Sequence, residues 1–359
     1  MAFTCAYDAK FISNMINEMP VGVDPLADLD LFEFKGTPTR DAWIKVSGMD
    51  RCLVPSSKWC CPSDVQHVKA TDEFVFGPIN VPHTVLKDQI MACDIAGNVE
   101  LAVGFAQTGL MDLTDILPKR VMTMRDSIEW TLAYRKWMAV TRGIVLDADA
   151  STVMLDLFAK FGVTQNTLPL DLQANNSAPT YLHGWVSELL KKMVYAAKGA
   201  PVIGAKVFLS SADFDKLVAL PGYVELWKRC CDLSAAVQGA AIGNGLARRF
   251  QVGAVEFREV WQPEVCNPFD AANPISFIAE GVAHAIPIMA QGVEMYELLA
   301  ASPMTLATVN QAPTQLYFYR DWDIEDQSRQ VVGRGSQVEM NAIPIVKRPA
   351  TLINVPITV

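Results

Sequence analysis

From about Thr114 to Thr141 the sequence reads as one uninterrupted helix with apolar residues on two sides, and this constrains the fold more than any other feature. Leu117, Val121, Met124, Ile128 and Leu132 recur at three- and four-residue spacing, while Trp130, Tyr134, Trp137 and Thr141 form a second stripe. Pro118 falls in the first turn, where its missing N–H removes no helical bond, and Gly143 marks the end. At 1.5 Å per residue such a rod is about 42 Å long, well beyond the usual three turns. Two greasy sides demand two packing surfaces, and the rest of the chain must supply them.

It has the material to do so. The 359 residues are 51% hydrophobic and 19% charged, which excludes a disordered chain or a small stapled module and leaves room for two domains, or one with excursions. Eight cysteines (Cys5, Cys52, Cys60, Cys61, Cys93, Cys230, Cys231, Cys266) show no C-x-x-C spacing and include two adjacent pairs, so they read as reduced, packed thiols. No run of eighteen apolar residues occurs and Met1–Lys10 lacks the apolar core of a signal peptide, so a cytosolic product without membrane contact is expected. With 30 basic against 39 acidic residues the net charge is −9, which disfavours general tracking of nucleic-acid phosphates.

Residues 1–38 show no clean period and carry Pro20, Pro25, Gly36 and Pro38, as an arm laid on something else would. Short β-prone runs at Ala42–Val46 and Glu73–Phe76 flank a polar stretch and predict a two-stranded ribbon. Two strands alone are marginal in water, so the ribbon needs its own domain or a partner subunit. Asn80–Val85 and Val99–Phe105 are further expected strands. After the long helix, Ile144–Leu146 and Thr152–Phe158 read as a hairpin, and residues 166–179 as an irregular boundary.

Beyond the boundary, Tyr181–Ala197 reads as an amphipathic helix with Leu182, Trp185, Val186, Leu189 and Met193 on one face. A strand is expected at Val202–Leu209, then a short helix to Val218 capped by Ser210 or Ser211. Phe250–Trp261 alternates around Gly253 like a hairpin, and Ile275–Ile278 and Ala285–Met289 look like strands. The tail offers Leu316–Tyr319, Gln337–Ile345 and Leu352–Val359, with a charged stretch, Arg320–Arg334, between the first two. These closing strands must pair with something earlier.

Signals for chemistry are weak. His67, His83, His183 and His284 are scattered without metal-ligand spacing, and no G-x-S-x-G elbow exists. The Asp147-x-Asp149 pair lacks the glycine and terminal glutamate of a calcium loop. Gly239, Gly243 and Gly245 follow no strand and precede no Lys-Ser or Lys-Thr, so they read as a flexible loop. No catalytic residue, cofactor or metal site is assigned. A cytosolic α/β enzyme with a small-molecule pocket in residues 180–292 is the alternative that these residues leave open.

Several runs nevertheless resemble one family. Phe76-Gly77-Pro78-Ile79-Asn80-Val81-Pro82-His83 with Asp88–Cys93, the block IEWTLAYRKWMAVTRGIVLDADASTVMLDLFAKFG at Ile128–Gly162, Phe208–Trp227, Phe250–Val260 and Glu339–Val355 resemble, in order, segments of tailed-phage major capsid proteins of the lambda E type. The match covers most of residues 75–359 and is loose over the first forty. The uncharged loop at 239–245 departs from relatives that often carry charge there.

The resemblance implies an α+β chain with the Hong Kong 97-like capsid fold: an N-terminal arm (1–38), an extended β-hairpin loop (39–85), a peripheral domain (86–179) built on a spine helix at about 114–141, an inserted axial domain (180–292), and a return to the peripheral domain (293–359). It implies a structural protein of the virion, formed in the host cytoplasm as homo-pentamers and homo-hexamers of an icosahedral shell around double-stranded DNA. Portal, scaffold or decoration proteins would be its partners. A related encapsulin-like shell shares the fold and differs in cargo. Under this reading Lys58, Trp59, Phe74 and Phe76 in the loop are candidate inter-subunit contacts, as are Arg120, Arg125, Arg248, Arg249, Arg334 and Arg348. Some relatives lock their shells through a Lys–Asn bond; Lys58 or Lys69 with Asn341 or Asn354 are the residue types at hand, and no motif pins them.

Overall fold

The computed structural model describes residues 9–18, 26, 29–47, 73–91, 116–173, 179–220, 248–260, 275–305, 308, 310–325 and 330–358. The chain divides into two compact units, one of residues 1–42, 80–134 and 298–343, the other of residues 43–79, 135–297 and 344–359. The long helix, α2 (Ile116–Thr141), contains one of the points of division, between Tyr134 and Arg135.

In the first unit the core forms between α2 and a three-stranded antiparallel sheet of β4 (Thr84–Met91), β14 (Tyr317–Glu325) and β15 (Val331–Met340), ordered β14-β15-β4. Tyr317, Tyr319, Val338, Met340 and Ile90 pack with Leu117, Val121, Met124, Ile128 and Leu132, the first of the two helical stripes. The expected arm contains a helix, α1 (Ala9–Glu18), whose Ile12 and Ile16 enter the same core. The Asn17 side chain holds it to β14: its Oδ1 accepts from the Leu316 and Tyr317 N–H groups and its Nδ2 donates to the Tyr317 carbonyl. A side-chain amide thus serves backbone groups at the start of an edge strand, where no neighbouring strand does.

Most of the charged stretch 320–334, expected between strands, lies inside them. Arg334 pairs with Asp321 on adjacent β14, and Arg320 lies 3.6 Å from the buried Glu339. Alternation places these charges on a ladder that also buries Tyr319 and Val338, so a charged run is compatible with strand where cross-strand partners exist. Gly335 faces Trp322 in register, and a Cβ there would collide with the indole, so the glycine lets the ring lie across the sheet. The chain breaks at residues 81–83 and resumes as β4, where a single strand from Asn80 was expected.

In the second unit seven strands run in the order β10-β11-β9-β12-β17-β7, with β8 also paired to β17. Their ranges are β7 (Asn166–Thr167), β8 (Leu170–Asp171), β9 (Val202–Leu209), β10 (Arg249–Val252), β11 (Val255–Glu259), β12 (Val282–Met289) and β17 (Ile353–Thr358). One face carries Ala205, Val207, Leu209, Phe250, Phe257, Ala283 and Val355, covered by Leu182, Trp185, Leu189 and Met193 of α4 (Pro179–Ala196) and by Phe214 and Leu217 of α5 (Ser211–Ala219). Ser210 caps α5, accepting from the Asp213 N–H and donating to its carboxylate. The segment expected as an irregular boundary supplies β7 and β8 and buries Leu168, Leu170 and Leu172, a period-two signal hidden among polar neighbours.

Also within this unit, Trp137 is fully buried, edge-on to Phe208 at 5.1 Å and to Phe277 at 6.2 Å, and its Nε1–H donates to the Phe277 carbonyl at 2.6 Å. Trp137, of the second helical stripe, therefore finds its cover here. Of the strand expected at 275–278, only Ile275 forms a bridge, and Thr152–Phe158 splits into β6 (Val153–Asp156), paired with β5 (Ile144–Leu146), and a short helix α3 (Leu157–Phe161) capped by Asp156. A third sheet orders β1 (Glu33–Thr37), β13 (Tyr296–Ala301) and β16 (Ala342–Val346), the last two wholly buried. Val99–Phe105 and Gly239–Gly245 lie outside the described residues.

Two outcomes test this packing. Gly143 has φ +64 and stands against the Phe158 ring, so Gly143→Ala combines left-handed strain with a clash and is expected to cost about 2–3 kcal/mol in urea unfolding. His284, 4% exposed on β12, is held down to about 4 by burial and then by the Arg142 charge. Because its folded value lies below its unfolded value, the unfolded chain takes the proton first, and stability falls as the pH drops from about 6.5 to about 4. This contributes about 3 kcal/mol to the acid sensitivity of unfolding, and His284→Gln removes that portion of the slope.

Candidate functional site

Among the described residues no group of three or more His, Cys, Asp or Glu stands where it could hold a metal ion, and no helix is long and apolar enough to cross a membrane. The Asp147–Asp149 turn is occupied by its own chain: Asp149 accepts from the N–H and hydroxyl groups of Ser151 and Thr152, which hold its carboxyl well below the usual range.

The ribbon exists. β2 (Asp41–Ser47) and β3 (Glu73–Asn80) form a separate two-stranded sheet. Along β2 burial alternates, with Ala42 and Ile44 buried and Trp43 60% exposed between them. In β3, Ile79 is buried and the neighbouring Pro78 carbonyl accepts from the Lys160 ammonium at 3.3 Å. Phe74 and Phe76 stand on β3, while Lys58, Trp59 and Lys69 lie outside the described residues.

Each of the six candidate arginines has an acceptor within the chain. Arg120 reaches Asp88 on β4 at 3.1 Å. Arg125, 3% exposed, pairs with Glu129 at 3.0 Å and lies 5.5 Å from the centre of the Tyr317 ring. Arg248 grips the buried Glu259 through two nitrogens, at 2.7 and 3.0 Å, and also meets Asp215; these acids raise its pKa further above the ordinary range. Arg249 is 3.8 Å from Glu256, Arg334 pairs with Asp321, and Arg348 donates to the Ala197 carbonyl at 2.7 Å. Removing Arg248 or Arg125 would strand a buried carboxylate, which is why they are held so closely. Of the asparagines considered for a covalent link, Asn354 sits on β17 in register with His284, and Asn341 accepts a hydrogen bond from His83.

That last contact borders a cleft in the first unit, of about 170 Å³, which no local pattern in the chain signals. Four segments line it: Pro38–Arg40, the 81–83 break with Val81 and His83, the stretch after β13 with Pro303 and Met304, and Asn341 between β15 and β16. Its backbone is tied by the Val81 N–H to the Arg40 carbonyl and the Ala301 N–H to the Asn341 carbonyl. Pro82-His83 marks one of these segments, and only folding brings the other three to it.

Comparison with known proteins gives these surfaces a context. No curated protein sequence matches. A structure described as that of a prophage capsid protein (E. coli CFT073) superposes with a TM-score of 0.50 at 10% identity, covering 98% of this chain and 96% of that one. The capsid of cyanophage Pam1 gives 0.48 at 9% identity over 94% and 93% of the two chains, and that of cyanophage P-SCSP1u 0.46 at 12% identity over 92% and 88%. The first of these likenesses supports the α+β, Hong Kong 97-like fold expected from the sequence. The sequence profile of the phage major capsid protein E family matches residues 8–357, nearly the whole length, and the chain therefore belongs to that family.

Proposed function

We propose that copies of this chain assemble as pentamers and hexamers that close into the icosahedral head of a tailed phage around double-stranded DNA. The observation that carries this is the family match over residues 8–357. Assembly in the host cytoplasm, a portal at one vertex, and scaffold or decoration proteins belong to the same reading. Within it, residues 1–38 act as an arm, 39–85 as the extended loop, 86–179 and 293–359 as the peripheral domain, and 180–292 as the axial domain. The isolated β2–β3 ribbon suits a loop that lies against a neighbour, since two strands by themselves bury too little to be stable. In this reading Lys58, Trp59, Phe74 and Phe76 belong to the same contact.

Energetically, a shell needs no strong single interface. Each copy touches several neighbours, so modest contacts sum to a stable particle. The half-exposed Arg120 guanidinium, its direction fixed by Asp88 of its own chain, can meet an acid of a second copy. A net charge of −9 limits attraction to the packaged phosphates, leaving DNA free to slide during packing and exit.

Purified chain is expected to form hollow particles visible by electron microscopy; a monodisperse 39.4 kDa species at every concentration would remove the reading. Trp43→Asp exchanges an exposed ring on the ribbon for a charge and is expected to raise the concentration needed for assembly roughly tenfold or more, with an unchanged circular dichroism spectrum.

A further inference from the structure

The cleft of the first unit has a chemistry at odds with the chain around it. The protein carries 39 acidic residues against 30 basic, yet among the residues lining the cleft are Arg40 and His83 and no carboxylate. Both are exposed, and among the described residues Arg40 enters no ion pair, unlike Arg120, Arg125, Arg248, Arg249 and Arg334. His83 is held through Nδ1, 2.6 Å from the Oδ1 of Asn341, a side chain 6% exposed. With Asn341 oxygen as acceptor, Nδ1 carries the proton and Nε2 is the remaining polar atom of the ring. The lining adds the buried Val81 and, on the solvent side, Pro38 and Met304, the last 73% exposed.

We infer that this cleft receives an acidic side chain, Asp or Glu, from a second copy of this chain, its carboxylate meeting the Arg40 guanidinium. The inference rests on the shell reading above, which supplies the second copy. Size agrees: one water needs about 10–15 Å³ by this measure, so 170 Å³ accommodates a side chain of several heavy atoms. Charge agrees as well, because a neighbour with an excess of acid meets a recess that carries Arg40 and, among its described residues, no carboxylate. The apolar rim excludes water from the pair once it is seated, which strengthens it relative to a pair on open surface. Asn341 fixes the His83 ring in the cleft lining.

The test uses the full chain and follows assembly by light scattering and electron microscopy. Arg40→Glu is expected to raise the concentration needed for particles about tenfold, and Arg40→Lys to leave it near that of the wild type. A photo-crosslinking benzoylphenylalanine at position 304, in place of the rim Met304, is expected to capture a peptide of another copy that contains Asp or Glu. This arm stands even if Arg40→Glu fails to fold. Wild-type particles that form alongside an unaffected Arg40→Glu, or whose crosslinked peptide lacks an acid, overturn the cleft assignment alone. Wild-type protein that never assembles overturns the shell reading and this inference together.

Discussion

The helix α2 cannot be wetted on either of its two apolar sides, and the rest of the architecture answers that demand. Its first stripe, Leu117 to Leu132, closes the core of the first unit with the β14-β15-β4 sheet and α1. Farther along, Trp137 is fully buried among Phe208 and Phe277 in the second unit. Replacing a buried tryptophan or leucine at such positions removes about 3–5 kcal/mol, a large share of the stability of any domain. The polar residues on the helix follow the same logic: Arg125 and Glu129 are buried together, and Arg135 reaches Asp147 at 3.0 Å while burial pulls its pKa down.

Charge is managed by close pairing. Glu259, Glu297 and Glu339 are almost wholly buried, and each has a cation near it: Arg248, Lys347 and Arg320. Such pairs add little net stability, because desolvation offsets their attraction, but losing one partner is costly. They therefore specify which strands and loops meet. Against that background the exposed Arg40, which shares a cleft with His83 and enters no ion pair among the described residues, is an exception.

How much was legible depended on the length and regularity of each signal. The long helix, the strand Val202–Leu209 and the helix after it, and the turn at Gly253 were readable because period, cap and turn residue agreed. Helix α1 was missed because ten residues give only one pair of i, i+4 isoleucines amid turn-forming neighbours. The charged run 320–334 looked like a loop because its stabilising partners, Asp321 with Arg334 and Arg320 with Glu339, are adjacent only across strands. The two-residue strands β7 and β8 carry almost no local signal, and exist because β17 lies alongside them.

Local regularities along the chain thus settled that it has a doubly apolar helix, a ribbon too thin to stand alone and closing strands in need of earlier partners. Those are properties of spacing, which a linear string records. Tertiary structure alone decided that Arg120, Arg125, Arg248, Arg249 and Arg334 would be held by acids of their own chain, that Asn17 would serve the edge of β14, and that Arg40, His83 and Asn341 would share a cleft. The reason is distance: residues 40, 83, 304 and 341 are far apart in the chain, and charge, hydrogen-bonding capacity and room become a site only when folding brings them within a few ångströms.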